Sequence, residues 1–450
     1  GNAVIPAGQS KVDITVTATQ DTDNEITETL TYTIQDNITD GIYDAANSVA
    51  SVSIIDDEAP VVSWDKSAAS FSENGGSVTI TATITDNKIK ANNSKLNLTF
   101  TDVLATLGED YSIAELETVS TLAGGSSGFK DGKGADAKFK DPSRVTSDSA
   151  GNIYVADSEN NVIRKISSSG EVTTFAGNGE MDWERKSGNK MEVGFAYPHA
   201  LAWNNAGTEL FIIEGYSNRI SKIDASGNVS LVSGNGNYGY NNGDKDQTEF
   251  NGPRGLAFDS AGILYVADAQ KIRKLTDDGA GNWTSSDFVG TGEWGQDDGQ
   301  GSEASFTNVN DIVIHKPSSG DIIYAADENK IRKITLSGEV TTYANPNDSW
   351  GDNDGTLASA SFEYISSLAL ETSSSTVSLY VTDEDRIRRV SSEGVETLAG
   401  GSSGYQDGAF SSAKFSKPRG IVITSNGIYI SDTGNHRIRN IDLTPSITIQ

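Results

Sequence analysis

Along the first 117 positions apolar residues fall at every second place, as in KVDITVTATQ, ETLTYTIQD, SVSIIDD, GSVTITATIT and KLNLTFT. A period of two sends alternate side chains to opposite faces of a strand, one packed and one wet. The spacing therefore predicts half-buried antiparallel strands, as in a sandwich. From about residue 118 the pattern changes to short apolar runs broken by turn residues, and one phrase returns six times at intervals of fifty-odd residues.

Its copies are IYVADSENNVIRKI, LFIIEGYSNRISKI, LYVADAQKIRKL, IYAADENKIRKI, LYVTDEDRIRRV and IYISDTGNHRIRNI, with a carboxylate at Asp157, Glu214, Asp268, Asp327, Asp383 and Asp432. A strand such as PRGLAFD or PRGIVIT precedes each copy, and one such as EVTTFAG follows it. Four short strands per unit make one propeller blade, and a blade cannot bury both faces of its small sheet alone, so the unit recurs until a ring shuts. Six units predict a six-bladed β-propeller. The stretch VSTLAGG at 119–125 matches a fourth strand but precedes the first blade, so it is expected to complete the sixth and leave no open edge. An acid needed by every blade is expected to serve that blade's own structure.

These residues resemble the NHL repeat family, with its P-x-G-[LIV]-A-V-D and [IL]-Y-V-[AT]-D-x-x-N-x-R patterns, over about 118–443. The second unit departs most, having Glu214 for Asp and ISK for IRK. Earlier, IPAGQSKVDITVTATQDTDNEITETLTYTI with VSIIDDE resembles the second half of a Calx-β module, an immunoglobulin-like sandwich. VSWDKSAASFSENGGSVTITATIT with GEDYSI resembles the first half. The expected fold class is thus all-β, a six-bladed NHL-type propeller plus Calx-β sandwich halves at 1–58 and 59–117. The order of the halves is reversed, and the link DDEAP spans at most about 17 Å. The sequence therefore predicts that each half pairs with another copy of the repeat. On that scheme the propeller, 118–443, is inserted in the second sandwich and a strand at 444–450 resumes it. Calx-β modules often bind calcium, which implies a structural Ca²⁺ held by Asp21, Asp23, Glu25, Asp56, Asp57, Glu73 and Asp110, hard oxygen ligands at short spacing.

Composition narrows the partners. The chain has 450 residues, 63 acidic against 34 basic, and a formal net charge of −29. A phosphate backbone or an anionic membrane surface would be repelled, which excludes nucleic acid as a partner. There is no cysteine, hence no disulfide, thiolate metal site or cysteine nucleophile. No apolar run reaches a membrane-spanning length. The chain begins mid-pattern with GNAVIPAGQS and ends on the alternation PSITIQ, and so reads as an excerpt of a longer repeat protein.

Function is expected where the blades differ. The connectors leading into successive blades are Gly-rich, and each carries an aromatic: Phe129 with Asp131, Trp183, Tyr240 with Asp244, Trp294 with Asp298, Trp350 with Asp354, and Tyr405 with Asp407. Either the rings wedge between blades or they form platforms for sugars or extended peptide. GDNDG at 351–355 has a calcium-loop look. First strands line a propeller's channel, and these begin with Arg144, His199, Arg254, Asn310, Ile365 and Arg419. They form either a partly cationic mouth that draws a carboxylate or acidic sugar, or arginines spent on the repeated acids of adjacent blades. The three histidines, His199, His315 and His436, stand at unmatched positions, so no three-histidine metal site is indicated. The function expected is a noncatalytic module of a large extracellular surface or fibre-forming adhesin, with a calcium-stabilised stalk and a glycan- or protein-binding head. The alternative is a hydrolase or lyase with a central metal.

Overall fold

A computed structural model describes residues 118–442, apart from 185–186, 373–376 and 425, and in the flanking residues the backbone of ten strands. The chain divides into two compact units, one of 1–117 with 443–450 and one of 118–442.

In the first unit Lys11–Thr19 pairs with Glu28–Gln35 on one side and with Lys95–Phe100 on the other. Val49–Ser51 extends that sheet. Val61–Trp64 pairs with Ala82–Thr85, Ile42–Tyr43 with Phe71–Ser72, and Ile447–Ile449 with Val78–Ile80, all antiparallel. Strands from 1–58 and 59–117 thus share a sheet within this chain, where the sequence pattern assigns them to different sandwiches. That assignment turns on what the short link at 56–60 can span. The observed neighbours, Lys11–Thr19 and Lys95–Phe100, lie far from it in sequence, so its length does not forbid their meeting. The residues expected to bind calcium, Asp21, Asp23, Glu25, Asp56, Asp57, Glu73 and Asp110, lie outside the described residues.

The second unit is a six-bladed propeller. Blade 1 runs outward from the channel through Pro142–Ser147, Ile153–Asp157, Val162–Ile166 and Glu171–Ala176. Blade 6 holds Pro418–Thr424, Gly427–Asp432 and Arg437–Asp442, and its fourth strand is Thr118–Gly124 from the other end of the unit. Ring closure leaves no blade with a missing partner. In blades 1 to 4 and 6 the connector adds a two-residue fifth strand at the rim, such as Gly132–Lys133 against the fourth strand of blade 1.

Second strands are buried on both faces because neighbouring blades pack against each, so they read as near-continuous apolar runs such as Leu264–Asp268. One core cluster joins Tyr265, Ile272 and Val289 of blade 3 to Phe306, Ile312 and Ile323 of blade 4. Burying each such side chain contributes about 1.5–3 kcal/mol.

The repeated acid sits at the top of the second strand and meets an arginine from the third. Both side chains are fully buried in five blades: Asp157 with Arg164, Asp268 with Arg273, Asp327 with Arg332, Asp383 with Arg388 and Asp432 with Arg439, at 2.7–3.0 Å. The arginine does more than neutralise. In blade 4 Arg332 Nη1 also donates to the Ser305 carbonyl and Nη2 to the Asp297 carbonyl and the Asp298 carboxylate, while its guanidinium lies 5.1 Å from the ring of fully buried Phe306. Asp327 accepts the backbone N–H groups of Thr307 and Asn308. All these partners belong to the connector entering the blade, so one ion pair pins a loop of nearly twenty residues, 290–308, at both limbs.

Blade 2 lacks this arrangement. Glu214 replaces the aspartate and reaches Ser221, which stands where the other blades carry arginine, and the Ala196 N–H. Burial, helped by the nearby Asp182 carboxylate, pushes the Glu214 carboxyl above its ordinary 4.5, against the bonds from Ser221 and Ala196.

Two expectations follow from these networks. Asp327→Ala strands Arg332 without its counter-ion and is expected to cost about 3–5 kcal/mol in urea unfolding. The apolar double variant Asp327→Leu, Arg332→Met stays destabilised by about 1–3 kcal/mol, since it leaves buried connector carbonyls without donors. A double variant as stable as the parent would show that the carbonyl bonds contribute nothing. For Glu214 the raised folded-state pKa means stability is fully present below about pH 4.5 and is lost as pH rises through the folded value. Thermal melts of Glu214→Gln should converge with the parent in acid and exceed it increasingly towards pH 8; a pH-independent gap would refute this.

Candidate functional site

Connectors and second-to-third-strand loops share the end of the propeller where each second strand finishes and each first strand starts, since Pro142 pairs with Asp157. There the inner edge is irregular in a repeated way. Pro198 pairs with Glu214 and Ala200 with Ile213, which leaves His199 bulged between them. The same shift falls between Pro253 and Gly255, Val309 and Asp311, Ile365 and Ser367, and Pro418 and Gly420. A bulge turns the extra side chain out of the ladder. The mouth of the channel is therefore ringed by His199, Arg254, Asn310, Ser366 and Arg419, with Ser143 as the counterpart in blade 1. The sequence pattern sets Arg144 and Ile365 in this ring. Ile365 is instead a buried core residue, and Arg144 lies one position deeper.

The glycine after the bulge has a steric reason. A Cβ on Gly255 would come 2.8 Å from Asp311 Cα, and one on Gly420 2.6 Å from the Ser143 carbonyl oxygen, so the neighbouring inner strand admits no side chain.

Arg144 crosses the channel. From blade 1 it donates to the Asn310 carbonyl of blade 4 at 2.6 Å and to the Arg419 carbonyl of blade 6, with Nε 3.9 Å from the Asp311 carboxylate. Asp311 accepts from Ser367 Oγ and the Leu368 N–H. This bar is the floor of the mouth. Beyond it lies a cavity of about 350 Å³ of mixed lining, with Leu201, Leu256, Val313 and Leu368 beside Asp311 and Ser367, and Lys316 and Asn205 at its far end.

The mouth concentrates positive charge. Arg419 pairs with Asp141 at 3.1 Å. Arg254 is held by neutral acceptors, Asn310 Oδ1 at 2.9 Å and the Tyr364 hydroxyl at 3.1 Å. Three guanidiniums thus meet two carboxylates, Asp141 and Asp311. His199, bonded through Nδ1 to Ser143 Oγ at 2.9 Å, has its pKa driven well below the usual value by burial and by Arg144, Arg254 and Arg419. It is neutral at pH 7. Neither the mouth arginines nor Arg144 bonds a repeated acid, because the third-strand arginines take those.

From His199 a row of near-parallel rings runs away from the channel: Tyr197 at 6.5 Å, Tyr216 at 4.3 Å from Tyr197, and Trp183 at 6.2 Å from Tyr216, with interplanar angles of 6–14°. Tyr197 is fixed by its hydroxyl on Asp141. Tyr216 and Trp183 are about half exposed. Tyr216 comes from the loop after the second strand, outside the connectors to which the sequence pattern points.

The connector aromatics divide into two positions, counted back from the buried Phe of each connector. Twelve residues before it stand Trp183, Tyr238, Trp294 and Trp350 in consecutive blades, 55%, 70%, 74% and 60% exposed. Rings so open are not wedges. Ten residues before it stand Phe129 and Tyr405, also partly open at 54% and 44% exposed, and the less exposed Tyr240, each in contact with side chains of its own blade. Arg164 approaches the Phe129 ring at 5.1 Å, and Arg437 sits 3.6 Å from that of Tyr405. Tyr240 bonds Gln270 and Asn251 through its hydroxyl, with Lys271 5.1 Å from its ring. The exposed ring of blade 3 is thus Tyr238, not Tyr240.

The acids beside the rings are engaged. Asp131, Asp298, Asp354 and Asp407 bind Arg164, Arg332, Arg388 and Arg439. Asp244 accepts N–H groups of its own turn. In GDNDG, Asp352 and Asp354 are held by Arg386 and Arg388, and the Asn353 carbonyl accepts from Arg388, so these oxygens are spent on guanidiniums.

The histidines are dispersed. His199 lies at the mouth, His315 at the far end of its first strand, and His436 in the loop before Arg437–Asp442, accepting from the Asp141 N–H. Among the described residues no three metal-ligating side chains come together. Ser143 and His199 have a nucleophile–base spacing, yet Ser143 is fully buried and so closed to a substrate.

The NHL repeat family model matches residues 139–166 and 415–439, within blades 1 and 6, and the chain carries NHL repeats in a six-bladed propeller. Over 331 residues it is 33% identical to Protein SUPPRESSOR OF QUENCHING 1, chloroplastic, of Arabidopsis thaliana, covering 71% of this chain and 26% of that protein. It is 25% identical over 354 residues to Teneurin-4 of Homo sapiens, covering 68% and 12%. The chain spans no more than about a quarter of either relative. Among solved structures, an auxiliary nutrient binding protein from Bacteroides thetaiotaomicron shares the fold with a TM-score of 0.57 at 15% identity over 94% of each chain.

The two ring positions predict different energetics. Tyr240→Ala removes buried hydroxyl bonds and ring packing and should cost about 2–3 kcal/mol, whereas Tyr238→Ala should stay within about 0.5 kcal/mol of the parent. Urea unfolding of the two variants measures this, and equal costs would overturn the assignment.

Proposed function

We propose that the propeller is a noncatalytic binding head for a glycan, presented on the face that carries the connectors. The observation behind this reading is the row Trp183, Tyr216, Tyr197, flat rings in file that end at a polar mouth. Exposed aromatic faces backed by rigid strands present stacking surface at small entropic cost, and the hydroxyls, amides and guanidiniums beside them suit a polar ligand. The arc of Tyr238, Trp294 and Trp350 supplies further platforms one blade apart, and repeated weak contacts add through effective concentration. A protein partner is less well served, because its interface needs a contiguous apolar core and these rings stand apart among charged loops.

On this reading the chain is a module of a larger extracellular surface protein. The unit of 1–117 with 443–450 acts as stalk, a Calx-β-like module stabilised by calcium, and neighbouring copies of the repeat are its partners. The support is the sequence resemblance and the carboxylate spacing. A hydrolase or lyase reading is less well supported, since among the described residues no three metal-ligating side chains gather and Ser143, the serine bonded to His199, is buried.

A glycan array with and without EDTA, followed by calorimetry on the best ligand, tests the proposal. Trp183→Ala combined with Tyr216→Ala should weaken binding at least tenfold while leaving the melting temperature unchanged. Full affinity in that variant would overturn the proposal. An unchanged parent melting temperature in EDTA would remove calcium from it without touching the binding face.

A further inference from the structure

We infer that the channel mouth is a carboxylate subsite and that the glycan bound on this face carries acidic sugars, with the acid group seated on Arg254. This rests on the glycan reading above and names its ligand class.

The first argument is charge. In a chain with 63 acidic and 34 basic residues, most arginines of the propeller are paired: five with the repeated aspartates, Arg419 with Asp141, Arg386 with Asp352 and Arg389 with Glu396. Arg254 is held differently. Its bonds go to the Asn310 amide oxygen and the Tyr364 hydroxyl, which fix the planar fork without cancelling its charge. A fork held by neutral groups at the rim of a channel is built to receive a carboxylate from outside.

The second argument is geometry. Bulges turn Arg254, Arg419 and His199 towards one opening, and Arg144 closes that opening from below through backbone carbonyls of blades 4 and 6. A ligand group entering the mouth therefore stops against a guanidinium. The carboxylates in reach are committed: Asp141 to Arg419 and Tyr197, Asp311 to Arg144, Ser367 and Leu368. Glu328 and Glu384, in the loops after their second strands, have Asp327, Asp348, Asp385, Glu363 and Lys417 as their charged neighbours rather than the mouth arginines. The depressed pKa of His199 agrees with a positive field here, and it leaves the ring neutral, able to bond a sugar hydroxyl without competing for the anion.

The third argument joins mouth to row. Tyr197 touches both, stacking on Tyr216 while its hydroxyl sits on Asp141, the partner of Arg419. A chain of sugar rings laid on Tyr216 and Trp183 thus leads to the arginines, and a charged terminal or penultimate residue would meet them. The net charge of −29 repels polyanions at long range, which favours discrimination by this local subsite over general attraction.

The test uses the full chain with hexagalacturonate, neutral cellohexaose and a hexaglutamate peptide as probes, and Arg254→Gln, Arg254→Lys and the Trp183→Ala, Tyr216→Ala variant. Hexagalacturonate should bind the parent at least tenfold more tightly than cellohexaose. Arg254→Gln should remove that preference, and Arg254→Lys should restore part of it. Equal affinities for the two sugars, unchanged in Arg254→Gln and lost in the aromatic variant, would overturn the carboxylate subsite and leave glycan binding standing. Binding of hexaglutamate alone, lost in Arg254→Gln, would overturn the sugar assignment. A direct readout covers the case in which no oligosaccharide binds: glucuronate at millimolar concentration should shift the His199 ring signals of the parent and not those of Arg254→Gln. An absent shift, or one identical in the variant, would overturn the inference.

Discussion

The propeller hangs on a buried charge. A carboxylate and a guanidinium with no exposed surface lose several kcal/mol of hydration each, and their mutual attraction offsets that only when further hydrogen bonds engage most of the remaining donors and acceptors. Here satisfaction comes from outside the strands. The two Nη groups of Arg164 are engaged by the carbonyls of Lys138 and Lys130 and by Asp131, and Asp157 by the Lys140 N–H and the Asn160 amide. The strands cannot keep the pair without the connector, and the connector cannot hold its course without the pair. The bonds of the pair offset the conformational entropy lost in fixing these long Gly-rich segments, which then carry exposed aromatic rings in defined positions.

The blade plan is legible in the sequence because the constraint repeats. Six acids in phase, with arginines five or seven residues later, announce a self-contained unit, and the orphan VSTLAGG announces its closure. Positions within the mouth are less legible. A bulge is a difference of one residue between two paired strands, and a single strand's sequence does not display it, so Arg144 and Ile365 read one place away from their roles. The connectors hide a second repeat in plain view. DGKGADAKF, DGQGSEASF, DGTLASASF and DGAFSSAKF share an acid eight residues before a phenylalanine, with NGDKDQTEF and SGNKMEVGF as the worn copies. Aligning on that phenylalanine separates Tyr238 from Tyr240 and marks Asp131, Asp298, Asp354 and Asp407 as structural. Tyr216 offers no signal of its own, since only the third dimension brings a loop of the phrase beside a connector.

Blade 2 shows what happens when the constraint is relaxed. With Ser221 in place of arginine, its connector carries no acid in the phase of Asp131, Asp298, Asp354 and Asp407, and this is the blade whose aromatic residues assemble into a row. Blade 2 also contributes His199 where three other blades place Arg or Asn. The departure from the repeat and the candidate site coincide, as expected when a scaffold keeps its rule wherever it has no other task.

Closing the ring with a strand from the opposite end of the unit has a mechanical meaning. Thr118 and Asp442 are direct partners in an antiparallel ladder, about 5 Å apart. Tension carried along the chain through 117 and 443 would therefore pull at the same end of two neighbouring strands and peel their hydrogen bonds open one after another, instead of loading them together in shear. Blade 6 is the tear line of the ring, the place where force applied between 117 and 443 would open it first and where the strands would zip shut when the force is removed.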